Sequence, residues 1–108
     1  MKYQSARIET SNITDWQSFH TVFAVTMGFP DFYGRNMNAW IDCMSYMNDE
    51  MTRFTLAPGE LFHLEIVGTK DFAKRLPELF EALIECAAFV NWRRADVGER
   101  PILALILV

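Results

Sequence analysis

Long apolar runs are missing from this 108-residue chain. No stretch approaches the roughly 20 apolar residues a membrane span requires. The opening MKYQSARIET has neither an apolar core region nor a small-residue cleavage site, so the sequence predicts no secretory leader. Cysteine is scarce: Cys43 and Cys86 stand alone in apolar, helix-like contexts, and a chain of this length builds its own core without disulfide or metal staples. They read as buried reduced thiols, which fits a cytoplasmic protein. A disulfide stays open, because sequence does not give their separation. Basic charge is also short, with 10 Lys and Arg against 14 Asp and Glu and a net charge of −4. That balance argues against general binding to a phosphate backbone and suits a cationic protein partner. Repeats, linkers and low-complexity segments are absent, so residues 1–108 are expected to form a single domain.

What the chain does have is apolar and aromatic bulk. Hydrophobic residues make up 51% and aromatics 14% of it, enough to offset the conformational entropy that keeps polar chains disordered. A short alternation over Lys2 to Glu9 predicts a first strand. SNITDW supplies capping residues, and Trp16, Phe19, Phe23 and Met27 recur at helical spacing before Gly28 and Pro30 stop the helix. Asn36 or a neighbour caps a second helix running to about Met47. A turn at Pro58-Gly59 then leads into LFHLEIV, which alternates Phe62, Leu64 and Ile66 against Leu61, His63 and Glu65 as a strand does.

Past Thr69 to Asp71, a short turn is expected near Phe72 to Arg75. Pro77 suits the first turn of a longer helix to about Asn91. RRADVGERP reads as a polar loop, and ILALILV as a largely buried parallel strand. Crossovers of this length favour parallel strands with right-handed connections. Strand order 1-2-3 then places all helices on one face of the sheet, giving a two-layer α/β domain.

One stretch carries more than scaffold: FPDFYGRNMNAWIDC, Phe29 to Cys43. On a helix from Asn36, Met37, Trp40, Met44 and Met47 form one apolar face, read as core. Asn38, Asp42 and Ser45 form the opposite polar face, flanked by Arg35, Ile41 and Tyr46. A solvated carboxylate is the plain reading of Asp42. The sharper one is a carboxylate ringed by aromatic and small residues, Phe32, Tyr33 and Gly34 among them, that enters a basic pocket on a partner protein. Enzymatic readings fare worse. Asp42 with Glu85 would be a carboxylate pair, and Cys43 with His20 or His63 a nucleophile and base, yet Asp42 beside Cys43 disfavours a thiolate. Cys43, Cys86, His20 and His63 lack close metal-ligand spacing. No cofactor is expected.

PDFYGRNMNAWIDC resembles the signature of the barstar family, intracellular inhibitors of the ribonuclease barnase: proline and an acid, two aromatics, glycine, asparagine, then a helix with an Asp-Cys pair. The order of strands and helices is similar too. The resemblance is strong over Gly28 to Met47 and rests on element order beyond it. It implies a barstar-like domain, a three-stranded parallel sheet in order 1-2-3 with helices packed on it. It implies no catalysis, but an immunity or antitoxin-type bacterial protein that blocks a small basic ribonuclease, extracellular or toxin-type, as a monomer forming a 1:1 complex. Asp42 matches the aspartate inserted where substrate phosphate binds, and Phe32 an aromatic contact. Gly34 and Asn36 match backbone and side-chain contacts. Asn38 falls where the family has a second interfacial aspartate, and Ile41 where it has an interfacial tryptophan. Ser45 and Tyr46 follow on the same helix edge, and Glu85 matches a peripheral acid on the later helix.

Three departures weaken the negative face: Arg35 stands where an acid is common, Asn38 lacks a carboxylate and Ile41 lacks an indole. They imply a partner other than barnase itself, or an adaptor that keeps the fold and binds a different basic protein. The stretch NWRRADVGERP lengthens the last connection with Arg93, Arg94 and Arg100, read as solvated loop or as a secondary contact surface.

Overall fold

The computed structural model describes residues 3–108. Strand β1 (Tyr3–Glu9) leads through a 3-10 turn into helix α1 (Trp16–Met27), then α2 (Met37–Ser45). Strand β2 (Leu61–Val67), helices α3 (Thr69–Arg75) and α4 (Pro77–Asp96) and strand β3 (Leu103–Leu107) complete the described residues. The strands are parallel in order β1-β2-β3, with Tyr3 opposite Leu61 and Phe62 opposite Leu103. This is the expected sheet. The anticipated start of β1 at Lys2 lies outside the described residues.

Local chemistry explains where the helices begin. Asp15 accepts a hydrogen bond from the Ser18 amide at 2.8 Å, and the Ser18 hydroxyl accepts one from the Asp15 amide at 3.0 Å. This reciprocal box satisfies donors that α1 would otherwise leave bare. At its other end Gly28 adopts φ 68°, where a Cβ would stand 2.9 Å from the Arg53 Cβ. Asn36 caps α2 by accepting from the Ala39 amide at 2.8 Å. Pro77 occupies the first turn of α4, where its missing N–H is harmless.

The sheet is packed on one face. Ala6 and Ile8 of β1 and Phe62, Leu64 and Ile66 of β2 are buried. Ser5, Arg7 and Glu9 point away from them and are exposed. On the outer face Tyr3 stacks on His63 with ring centroids 4.1 Å apart, and Arg7 pairs with Glu65 at 3.2 Å. The buried side meets Phe19, Phe23 and Met27 of α1, Trp40 and Met44 of α2, and Leu79, Leu83, Ala87 and Val90 of α4 in one cluster.

Two expectations are corrected. The last strand is buried only at its start: Leu103 is covered, whereas Ile106, Leu107 and Val108 are exposed. The order β1-β2-β3 makes β3 an edge, and helices cover only one face, so an unbroken apolar run does not secure burial. The final helix continues past Asn91 to Asp96. Arg93 and Arg94 therefore occupy a helical last turn, where cations oppose the negative end of the helix dipole, and the loop begins only afterwards.

Candidate functional site

Helix α2 is gripped from two sides. Trp40 packs edge-on against Phe23 of α1 at 5.6 Å, and α4 lies along the other flank. What remains open is a narrow stripe, Asn38, Asp42 and Tyr46, one turn apart from one another. Asn36 caps the helix just before this stripe, so its geometry is fixed by a rigid element.

The predicted contact residues separate accordingly. Phe32 is 75% exposed in the loop before α2, and Gly34, Asn36 and Asn38 are exposed beside it. The Asp42 side chain is 56% exposed and Tyr46 44%. Glu85 is exposed on α4. Three residues lie inside. Tyr33 is buried and shares a 2.6 Å hydrogen bond with His20 Nδ1, so of the two loop aromatics Phe32 alone faces solvent. Ile41 is buried against the core. Ser45 is fully buried rather than on the polar face, because α4 covers that edge of α2 and Arg94 donates to the Ser45 carbonyl at 3.2 Å.

Arg35 takes a place its charge did not suggest. It adopts φ 54°, a left-handed conformation uncommon outside glycine and asparagine. Its guanidinium donates to the Gln17 carbonyl at 2.9 Å and to the Thr21 hydroxyl at 2.8 Å. This side chain clamps the loop carrying Phe32 onto α1. Gly34, by contrast, has ordinary backbone geometry, and a Cβ there would meet Asn36 and Ala39 no closer than 3.4 Å.

The site also contains a residue that composition hid. Arg93 Nη1 donates to Asp42 Oδ1 at 2.8 Å, bridging α4 to the centre of α2. Its guanidinium lies 5.9 Å from the Tyr46 ring and 5.4 Å from the Phe89 ring. Phe89 in turn sits 5.4 Å from Trp92, and both are exposed, at 42% and 57%. The signal was the four-residue spacing of Glu85, Phe89 and Arg93, visible once the helix is carried beyond Asn91.

The groups weighed as nucleophile and base are engaged elsewhere. Burial, then the neighbouring Asp42 carboxylate, pushes the Cys43 thiol up to about 11, far from a reactive thiolate. His20 is engaged by Tyr33, and His63 lies on the outer sheet face stacked on Tyr3. Cys43 and Cys86 are both free thiols. Among the described residues, no three His, Cys, Asp or Glu side chains gather as a metal site, and no helix is long and apolar enough to cross a membrane.

The family model described as Barstar (barnase inhibitor) matches residues 3–104. The chain belongs to the Barstar family. That match covers β1, β2 and the start of β3, and the parallel sheet with four α-helices among the described residues is the family's α/β fold. Barstar is an inhibitor family rather than an enzyme family, and at the family level its partner is a protein, a ribonuclease. A search of curated proteins finds no match to the chain.

Proposed function

We propose that this Barstar-family chain is a stoichiometric inhibitor, of the immunity or antitoxin type, of a small basic ribonuclease. It acts in the cytoplasm as a monomer that forms a 1:1 complex and performs no chemistry of its own. One observation carries the reading: Asp42 is an accessible carboxylate at the middle of a rigid, capped helix, with exposed Tyr46 one turn on and exposed Phe32 in the loop that leads into the helix. A carboxylate so placed enters a cationic cleft as a phosphate surrogate, while the aromatic side chains cover the rim and exclude water. Asn36 and Asn38 offer polar contacts along the same edge, Gly34 leaves room for close backbone approach, and Glu85 supplies an acid on the periphery.

The test is RNA cleavage by barnase and a panel of small basic microbial ribonucleases, titrated with the chain. Wild type abolishes cleavage by its cognate enzyme at one equivalent, whereas Asp42→Ala, equally folded, does not. Equal inhibition by the two forms would remove Asp42 from the mechanism.

The Arg93 contact favours a second reading, since it already neutralises Asp42 in the free protein. In that reading the chain is an adaptor for another basic protein. Tight binding of such a protein without any block of RNA cleavage distinguishes it.

A further inference from the structure

Among the described residues five aromatic side chains are exposed, namely Tyr3, Phe32, Tyr46, Phe89 and Trp92. Two of them flank one guanidinium, and a third packs on one of those two. Arg93 touches the Tyr46 and Phe89 rings, and Trp92 leans on Phe89. Exposed aromatics grouped about an arginine have the composition of a binding centre, because aromatic rings give large contact area at modest entropic cost and arginine adds a planar fork of donors.

The hydrogen bonding at this cluster is half complete. Arg93 uses Nη1 on Asp42 Oδ1, and among the described residues it has no second acceptor. A guanidinium has five N–H donors in a planar fork, so an open edge suited to a carboxylate remains. Asp42 keeps Oδ2 without a donor among the described residues, and that oxygen is open to a partner's cation.

We propose that Arg93, on the α4 side of the docking face, is a contact residue that requires a carboxylate at the rim of the partner's cationic pocket. Phe89 and Trp92 form the apolar wall beside it. This inference rests on the reading that Asp42 fills a ribonuclease active site. Insertion of Asp42 carries Arg93 to within one side chain of that pocket. A cation there is repelled unless the partner supplies an anion close by. Cleavage of RNA without a metal needs a general base beside the cations that hold the phosphate, and a carboxylate in that role is the counter-charge Arg93 takes. The Asp42–Arg93 pair is then exchanged for two intermolecular pairs.

The experiment measures inhibition constants of the full chain against barnase and the same panel of basic ribonucleases. The variants are Asp42→Ala, Arg93→Ala, Arg93→Lys and Trp92→Ala, each first shown to be folded by circular dichroism. Arg93→Ala is expected to weaken inhibition of the cognate enzyme about tenfold or more, as loss of a charge-assisted hydrogen bond does. Arg93→Lys should recover part of that loss, and Trp92→Ala should weaken binding independently. Unchanged or tighter inhibition by Arg93→Ala, with Asp42→Ala still inactive, overturns this inference and leaves the inhibitor reading standing. It would make Arg93 a competitor for Asp42. Absence of inhibition across the whole panel by every form removes both.

Discussion

His20 on α1 and Tyr33 in the loop before α2 share a buried hydrogen bond of 2.6 Å, which fixes the inner side of the segment whose outer side presents Phe32. Burial, and then the nearby Arg35 charge, lowers the His20 pKa from its ordinary 6.5. Burial also holds the Tyr33 hydroxyl protonated far above the ordinary phenol range. The unfolded chain therefore binds a proton at His20 that the native protein resists. Stability is complete above about pH 6.5 and falls as pH drops below it towards the lowered native value. Chemical denaturation at pH 8, 6.5 and 5 should show this decline. A His20→Gln variant should show a flatter profile over the same interval. Tyr33→Phe should cost about 1–2 kcal/mol at pH 8, since it strands a buried ring nitrogen.

Gly34→Ala separates fold from recognition. The backbone at Gly34 is ordinary, and an added methyl meets Asn36 and Ala39 at 3.4 and 3.5 Å, so stability should change by no more than about 0.5 kcal/mol. If a partner's backbone closes on this position, inhibition weakens although the melting temperature is kept. Thermal unfolding and titration of RNA cleavage, done on the same preparation, give the two readings.

Asn91 ties α4 to the start of β3. Its Nδ2 donates to the Leu103 carbonyl at 2.8 Å, and its Oδ1 accepts from the Ile102 and Leu103 amides, both at 3.1 Å. Asn91→Ala should cost about 2–3 kcal/mol, because it leaves part-buried backbone groups without partners. Amide hydrogen exchange should quicken first at Ile102 and Leu103. A loss below about 0.5 kcal/mol would mean water replaces the side chain without penalty.

Cys43 should be inert to thiol-modifying reagents in the native state at pH 8, since burial and Asp42 push its pKa to about 11. Burial and then Glu85 also raise the Cys86 pKa. Mass spectrometry of the labelled protein before and after denaturation checks this. Fast native labelling at Cys43 would require α2 to open.

Much of this architecture was legible in the chain because local signals agreed with the global fold. Asp15, Gly28, Asn36 and Pro77 mark helix ends by hydrogen-bonding or conformational preference, and the alternation of LFHLEIV reports a sheet packed on one face. The misses arise where the answer depends on a neighbouring element. Ser45 looks solvated on an isolated helix and is buried only because α4 lies across it. Tyr33 and Phe32 are adjacent aromatics, and the presence of His20 behind the loop decides which turns inward. Arg93 and Arg94 suggest loop by composition, but helix continues through them while Ala87 and Val90 remain anchored. The Asp42–Arg93 contact joins residues 51 positions apart, beyond the reach of any local pattern.

The Asp42–Arg93 pair also has a kinetic side. A carboxylate already matched by a guanidinium projects little field past the Debye length of about 8 Å in physiological salt. The encounter with a partner is then drawn only by the chain's diffuse net charge of −4, and added salt should slow association modestly. Arrival rates of roughly 10⁵–10⁶ M⁻¹s⁻¹, ordinary for unsteered proteins, follow from that. The strength of such a complex would reside almost wholly in how slowly it comes apart, once the internal pair has been traded for its two replacements.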